Sequence, residues 1–171
     1  MLETATYAPS AHNRQPWRFA ALTSPEAKTR LAEALGEVLR QALAQDALTS
    51  EEIAARVERS RRRIGRAPAA VVLCADFTAA APYPDEERQA ADNLMLVQDA
   101  TLAGGTLLLA AHAEGLGGVW MCAPLFAPET TREALGLPES WEPLALILLG
   151  YPENIPAARA RKALDEVARF Y

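Results

Sequence analysis

The chain is short of the residues that most metal, thiol and imidazole chemistry requires. It has two cysteines and two histidines in 171 residues. Cys74 and Cys122 lie far apart, as do His12 and His112, and none has a Cys or His cluster around it, so no metal site is expected. Each cysteine falls in an apolar run, which predicts two small buried hydrophobes on separate core strands and a reducing, cytoplasmic compartment. No Ser–His–acid triad can be named and no phosphate-binding P-loop is present. Net positive charge is also missing: 22 acidic against 17 basic residues leave −5, which argues against a nucleic-acid partner but not against a local cationic pocket. The first residues include Glu3 and form no apolar run, so no signal peptide is expected. The longest apolar stretch, Leu94 to Ala111, contains Gln98, Asp99 and two glycines, and reads as a buried helix rather than a membrane span.

What is present is the material of one globular domain, with half its residues hydrophobic and 23% charged. The densest stretch is Pro9-Ser10-Ala11-His12-Asn13-Arg14-Gln15-Pro16-Trp17-Arg18-Phe19. Each proline biases the residue before it away from helix, so a loop is predicted whose backbone N–H groups are free for other partners. Ser10, His12, Asn13 and Gln15 add side-chain donors and acceptors. Trp17 to Leu22 reads as a strand entering the core. The loop is either an ordinary helix-to-strand connection or a cradle for a planar polar ligand.

The remaining elements follow from local signals. Thr23-Ser24-Pro25-Glu26 opens a helix carrying Leu31, Leu35, Val38 and Leu39 at helical spacing. Thr49 and Glu52 form a capping box that opens a second helix, with Ile53, Val57 and Ile64 on its apolar side. Arg56, Arg59, Arg61, Arg62, Arg63 and Arg66 make a basic face, read as solvated helix surface. The unbroken apolar run from Ala69 to Ala75 predicts a strand buried on both faces. Asp85 begins the longest helix, to about Glu114, with Gly104-Gly105 packed closely against another helix and His112 structural. Gly115 ends that helix, and Gly117 to Cys122 follows as a strand. A short helix from Pro128 and a last buried strand, Leu144 to Leu149, complete the domain.

Pro9 to Trp17 resembles the Pro-Ser-x-x-Asn-x-Gln-Pro-Trp signature of the FMN-dependent nitroreductase family. Gly115-Leu116-Gly117-Gly118-Val119-Trp120, Leu135-Gly136-Leu137-Pro138 and Leu149-Gly150-Tyr151-Pro152 extend the likeness, in order and spacing, over most of the chain. Within the family the sequence is most similar to the reductase domain associated with deazaflavin-coenzyme γ-glutamyl ligases, on Ser50 to Val57 and Trp141-Glu142-Pro143.

The resemblance implies an α+β fold, a mixed antiparallel sheet flanked by helices, built as an intertwined homodimer. It implies one nitroreductase-like domain over 1–171, lacking the basic segment that precedes the first helix in the family. It implies FMN as cofactor, at a site made by both subunits. The cofactor-binding residues it points to are Pro9, Ser10, Ala11, His12, Asn13 and Gln15 in the loop, and Arg63 as a cation near the ring. It adds Trp120, Met121 and Cys122 on the strand beside the ring, and Arg159 and Arg161 for the phosphate. Arginine suits that last task because its planar fork binds phosphate bidentately. No protein residue is expected to act as acid or base. The implied reaction is ping-pong hydride transfer from NAD(P)H to a nitroaromatic, quinone or similar conjugated acceptor. The alternatives are reduction of a deazaflavin-coenzyme precursor and a non-catalytic flavin- or deazaflavin-binding domain.

Overall fold

A computed structural model describes residues Met1–Tyr171. At its centre is a four-stranded sheet, antiparallel throughout, in the order β1-β2-β4-β3. The strands are β1 (Trp17–Leu22), β2 (Ala69–Asp76), β3 (Gly117–Met121) and β4 (Trp141–Gly150). The central pair, β2 and β4, is buried almost end to end, as unbroken apolar runs require. Alternation then divides their side chains between two layers. Ala70, Val72, Cys74, Leu146 and Leu148 face one side; Val71, Leu73, Ala75, Ala145, Ile147 and Leu149 face the other. The ladder slips between Leu73 and Cys74, so that Cys74 pairs with Pro143 and Leu144 is left over. Leu144 therefore joins the same layer as Ala145.

The first layer is covered by α2 (Pro25–Leu43), α3 (Ser50–Arg66) and the shorter α5 (Ala123–Phe126) and α6 (Pro128–Leu135). The start signals act as expected: the Ser24 hydroxyl accepts from the Ala27 amide, and Thr49 and Glu52 complete a reciprocal capping box. Lys28, although charged, is buried and donates to the carbonyls of Ala67 (2.6 Å) and Pro68 (3.0 Å), which ties α2 to the turn between α3 and β2.

The second layer is α4 (Glu86–Ala113), capped by Asp85, with the four-residue α1 (Leu2–Ala5) beside it. One face of α4 lies on the sheet through Ala100, Ala103, Leu107 and Ala111. Burying a leucine here contributes about 1.5–3 kcal/mol. Gly104 permits the close approach. A Cβ there would meet the Trp120 ring at 2.6 Å and Leu73 at 2.7 Å. Its partners are thus side chains of two strands, β2 and β3, and not the second helix expected from sequence, and Gly105 meets nothing. By length and composition alone α4 could cross a membrane, yet 39% of its most apolar window is buried inside the fold. On its other side Leu94, Leu102 and Leu109 are exposed.

Two further expectations are corrected. Cys74 is buried, but Cys122 sits at the N-cap of α5 and is exposed, because β3 is an edge strand and ends one residue earlier. His112 is also exposed, on the outer side of the last turn of α4, so it does no packing in the core. After β4 the chain from Tyr151 to Tyr171 lies along the surface, with only α7 (Leu164–Val167) as regular structure.

Candidate active site

The Pro9–Gln15 loop leads into β1 at the end of the sheet where Trp17 pairs with Ala75. Ala11–Asn13 forms a single 3-10 turn, and its backbone is unusual. His12, Asn13 and Gln15 have φ of 53°, 55° and 51°, the only non-glycine residues of the chain in the left-handed region. Such backbone at residues with side chains is strained and persists only where its surroundings hold it.

The surroundings are visible. Asp99 on α4 accepts the Ala11 amide at 3.0 Å. Asp92, one heptad earlier and 1% exposed, accepts from Arg14 Nη1 through both carboxylate oxygens, at 2.7 and 2.8 Å. The same carboxylate accepts the Ala81 amide at 2.9 Å. Within the loop the Ser10 hydroxyl accepts the Gln15 amide, and the Gln15 side chain donates to Asn13 Oδ1. Below it, Arg18 pairs with Asp76 at 2.9 Å.

The expectation of free loop amides therefore needs amending. Those of Ala11, Asn13, Arg14 and Gln15 are used by Asp99, the Ser10 carbonyl, the Ala11 carbonyl and the Ser10 hydroxyl. What the loop offers outward is side chains: His12, Asn13 and Gln15 are exposed. Electrostatics stiffens the arrangement. The hydrogen bond from Arg14 holds Asp92 below the ordinary carboxylate range, with burial opposing it and the Ala81 amide assisting. The same bond raises Arg14 in turn. Burial pushes Asp76 up, but the hydroxyl and amide of Thr78 and the charge of Arg18 outweigh it, so it ends lowered.

The other sequence candidates lie elsewhere. Arg63 and Arg66 stand at the rim of an open cleft of about 460 Å³, floored by Gly117, Gly118, Gly150 and Tyr151. This cleft is at the opposite end of the sheet from the loop: Gly117 pairs with Gly150, eight residues along β4 from Glu142, the partner of Ala75, with one of the eight taken up by the bulge. At about 3.3 Å per residue the two are separated by roughly 20 Å along the strands. Trp120 is half-buried beneath α4, and Met121 and Cys122 come at the end of β3, level with Leu146. Arg159 and Arg161 are exposed, and the contacts of Arg161 are with the Arg159 and Ala160 carbonyls. One copy of the chain thus brings together Pro9 to Gln15, but does not bring them to Arg63 or to the tail.

Sequence reasoning missed Asp92, Asp99 and the part played by Arg14. A signal was available. Two acids seven residues apart fall on one face of an otherwise apolar helix, where neither is tolerated without a partner.

Comparisons with known proteins agree with this architecture. A protein of Archaeoglobus fulgidus, provisionally named NADH dehydrogenase/NAD(P)H nitroreductase, is 31% identical over 160 residues, covering 90% of this chain and 71% of its own length. An NADH dehydrogenase of Thermus thermophilus is 34% identical over 185 residues, covering 93% of this chain and 78% of its own. Among solved structures, the NADPH:FMN oxidoreductase of Vibrio harveyi, in complex with NAD+, superposes with a TM-score of 0.69 at 21% identity, over 98% of this chain and 64% of that one. That last likeness concerns the fold. Residues 1–151 match the profile of the nitroreductase family, and the chain belongs to this family of oxidoreductases.

Proposed function

We propose that the chain is an FMN-dependent oxidoreductase that takes reducing equivalents from NAD(P)H and passes them to a nitroaromatic, quinone or similar conjugated acceptor. The observation that carries this reading is the left-handed loop, with three strained residues held in place and three polar side chains facing outward. Strain held at such expense of neighbouring structure is typical of a ligand-binding segment. The donor set suits FMN. The Asn13 and Gln15 carboxamides match the alternating donors and acceptors of the ring's polar edge. The cleft is floored by the backbone of Gly117, Gly118 and Gly150, which a flat group could approach, and Arg63 and Arg66 supply cations at its rim. FMN, when bound, supplies the hydride chemistry, and the protein supplies position and electrostatics. Arg63 is suited to stabilise negative charge gained on reduction. Arg159 and Arg161 are suited to grip the phosphate, and the Met121–Cys122 backbone to line the ring.

Because loop and cleft lie at opposite ends of one sheet, a single site drawing on both needs two copies of the chain. The uncovered leucines of α4 and the apolar residues Leu164, Val167 and Phe170 of the tail support a homodimer. The test is to purify the protein, record its visible spectrum, titrate FMN, and follow NAD(P)H oxidation with a quinone. Yellow protein and turnover are expected. Colourless protein that fails to bind FMN removes this reading, and flavin binding without turnover leaves a binding domain.

A second reading, reduction of a deazaflavin-coenzyme precursor, rests on the resemblance of Ser50 to Val57 and Trp141 to Pro143. Here Ser50 to Val57 opens α3 and Trp141 to Pro143 opens β4. Preference for such a precursor over quinones in turnover would select it.

A further inference from the structure

We propose that Asp92 and Asp99 are positioning residues for the cofactor loop, and that Asp92 also binds the loop to the Ala80–Pro84 segment so that the two behave as one wall of the site. The functional half of this rests on the flavin reading; the geometric half does not.

Left-handed backbone at His12, Asn13 and Gln15 is disfavoured, and bonds internal to a short loop are weak restraints in water. Only two side chains from outside the loop restrain it from α4. Asp99 takes the amide just before the first left-handed residue. Asp92 takes the Arg14 side chain, which lies between the second and third. Asp99 therefore holds the start of the strained stretch and Asp92 its middle, while at its end Arg18 of β1 donates to the Gln15 carbonyl at 3.1 Å. Asp92 differs in also accepting the Ala81 amide. The segment beyond is fastened to the same helix, for the Tyr83 amide donates to Gln89 Oε1 at 3.1 Å and Arg88 lies 5.4 Å over the Tyr83 ring. A nearly inaccessible carboxylate shared by two otherwise separate loops couples them, since neither can move without leaving part of its charge unpaired. Asp99 has no such second partner.

That asymmetry makes the test specific. In hydrogen exchange on the flavin-free chain, Asp92→Asn speeds exchange at both Ala11–Gln15 and Ala80–Tyr83, whereas Asp99→Asn speeds only Ala11–Gln15. Arg14→Lys keeps the charge but is too short to place its nitrogen where Nη1 meets both Asp92 oxygens, and gives intermediate protection at both segments. In FMN titration each Asp variant weakens binding about tenfold or more, because the binding-competent loop is then a minor form. The visible band of the bound flavin also moves toward that of free FMN. Unchanged exchange at Ala80–Tyr83 in Asp92→Asn, or at Ala11–Gln15 in Asp99→Asn, overturns the proposal. So does wild-type FMN affinity in both variants. If Asp92→Asn does not fold, Asp99→Asn and Arg14→Lys decide it by the same two measurements. If the wild-type chain itself binds no FMN, the flavin reading fails while the exchange pattern still decides the clamp.

Discussion

Two parts of the molecule carry candidate cofactor residues, and they are built in opposite ways. The Pro9–Gln15 loop is held by acids from the interior of α4 and is shaped before any ligand arrives. The segment from Tyr151 to Tyr171, with Arg159 and Arg161, lies exposed and makes local contacts with its own backbone. The loop owes its form to this chain. The tail exposes the apolar side chains of Leu164, Val167 and Phe170, which the proposed homodimer would cover. In the proposed site, one half is preorganised and the other is assembled on association.

The sharpest way to break this comparison is to remove the tail cations. Arg159→Ala with Arg161→Ala is expected to weaken FMN binding about a hundredfold, since in the proposed site each would remove a charge-assisted hydrogen bond to phosphate. The flavin-free melting temperature should not change, because neither side chain supports the fold. A lowered melting temperature would show that the tail is as structural as the loop. Next comes the scaffold between them. Gly104→Val drives a side chain into Trp120 and Leu73 and is expected to cost about 1–3 kcal/mol, read as a shift in urea midpoint, without altering tail exposure to proteolysis.

A smaller effect concerns acid. The folded value of Asp92 is depressed, so the unfolded chain binds more protons at low pH and stability rises with pH across that range. Its contribution is complete above the ordinary value of 3.8 and is lost as pH falls through the depressed one. The groups facing it are Arg14, His12 and the Ala81 amide, with Tyr83 and Asp99 close to Arg14. In melting experiments Asp92→Asn should flatten the acid limb, and the loop should loosen there while the tail shows no change. The smallest effect is chemical. Cys122 should react with a thiol reagent in the native protein and Cys74 should not, because burial pushes its thiol up to about 12 and removes access.

Much of the scaffold was legible because its signals are local. Ser24, Thr49 and Asp85 mark helix starts through hydrogen bonds within one turn, and the structure places all three as N-caps. The unbroken apolarity of β2 announced its central position. Cys122 and His112 were misjudged for one common reason. Apolar neighbours in sequence do not reveal which side of an edge strand or a half-covered helix faces solvent. The partner of Gly104 was misjudged because a glycine shows that something comes close without showing what.

The sequence by itself determined the four strands, the longer helices, their order and the polar loop before β1, because periodicity, capping and proline act over a few residues. It did not determine the four-residue α5 and α7. Only the tertiary structure decided that Asp92 and Asp99 reach across 78 and 88 positions to hold that loop, and that Arg63 lies at the other end of the sheet. Those are matters of strand register and of which face α4 turns inward, and both are settled by the packing of the whole chain.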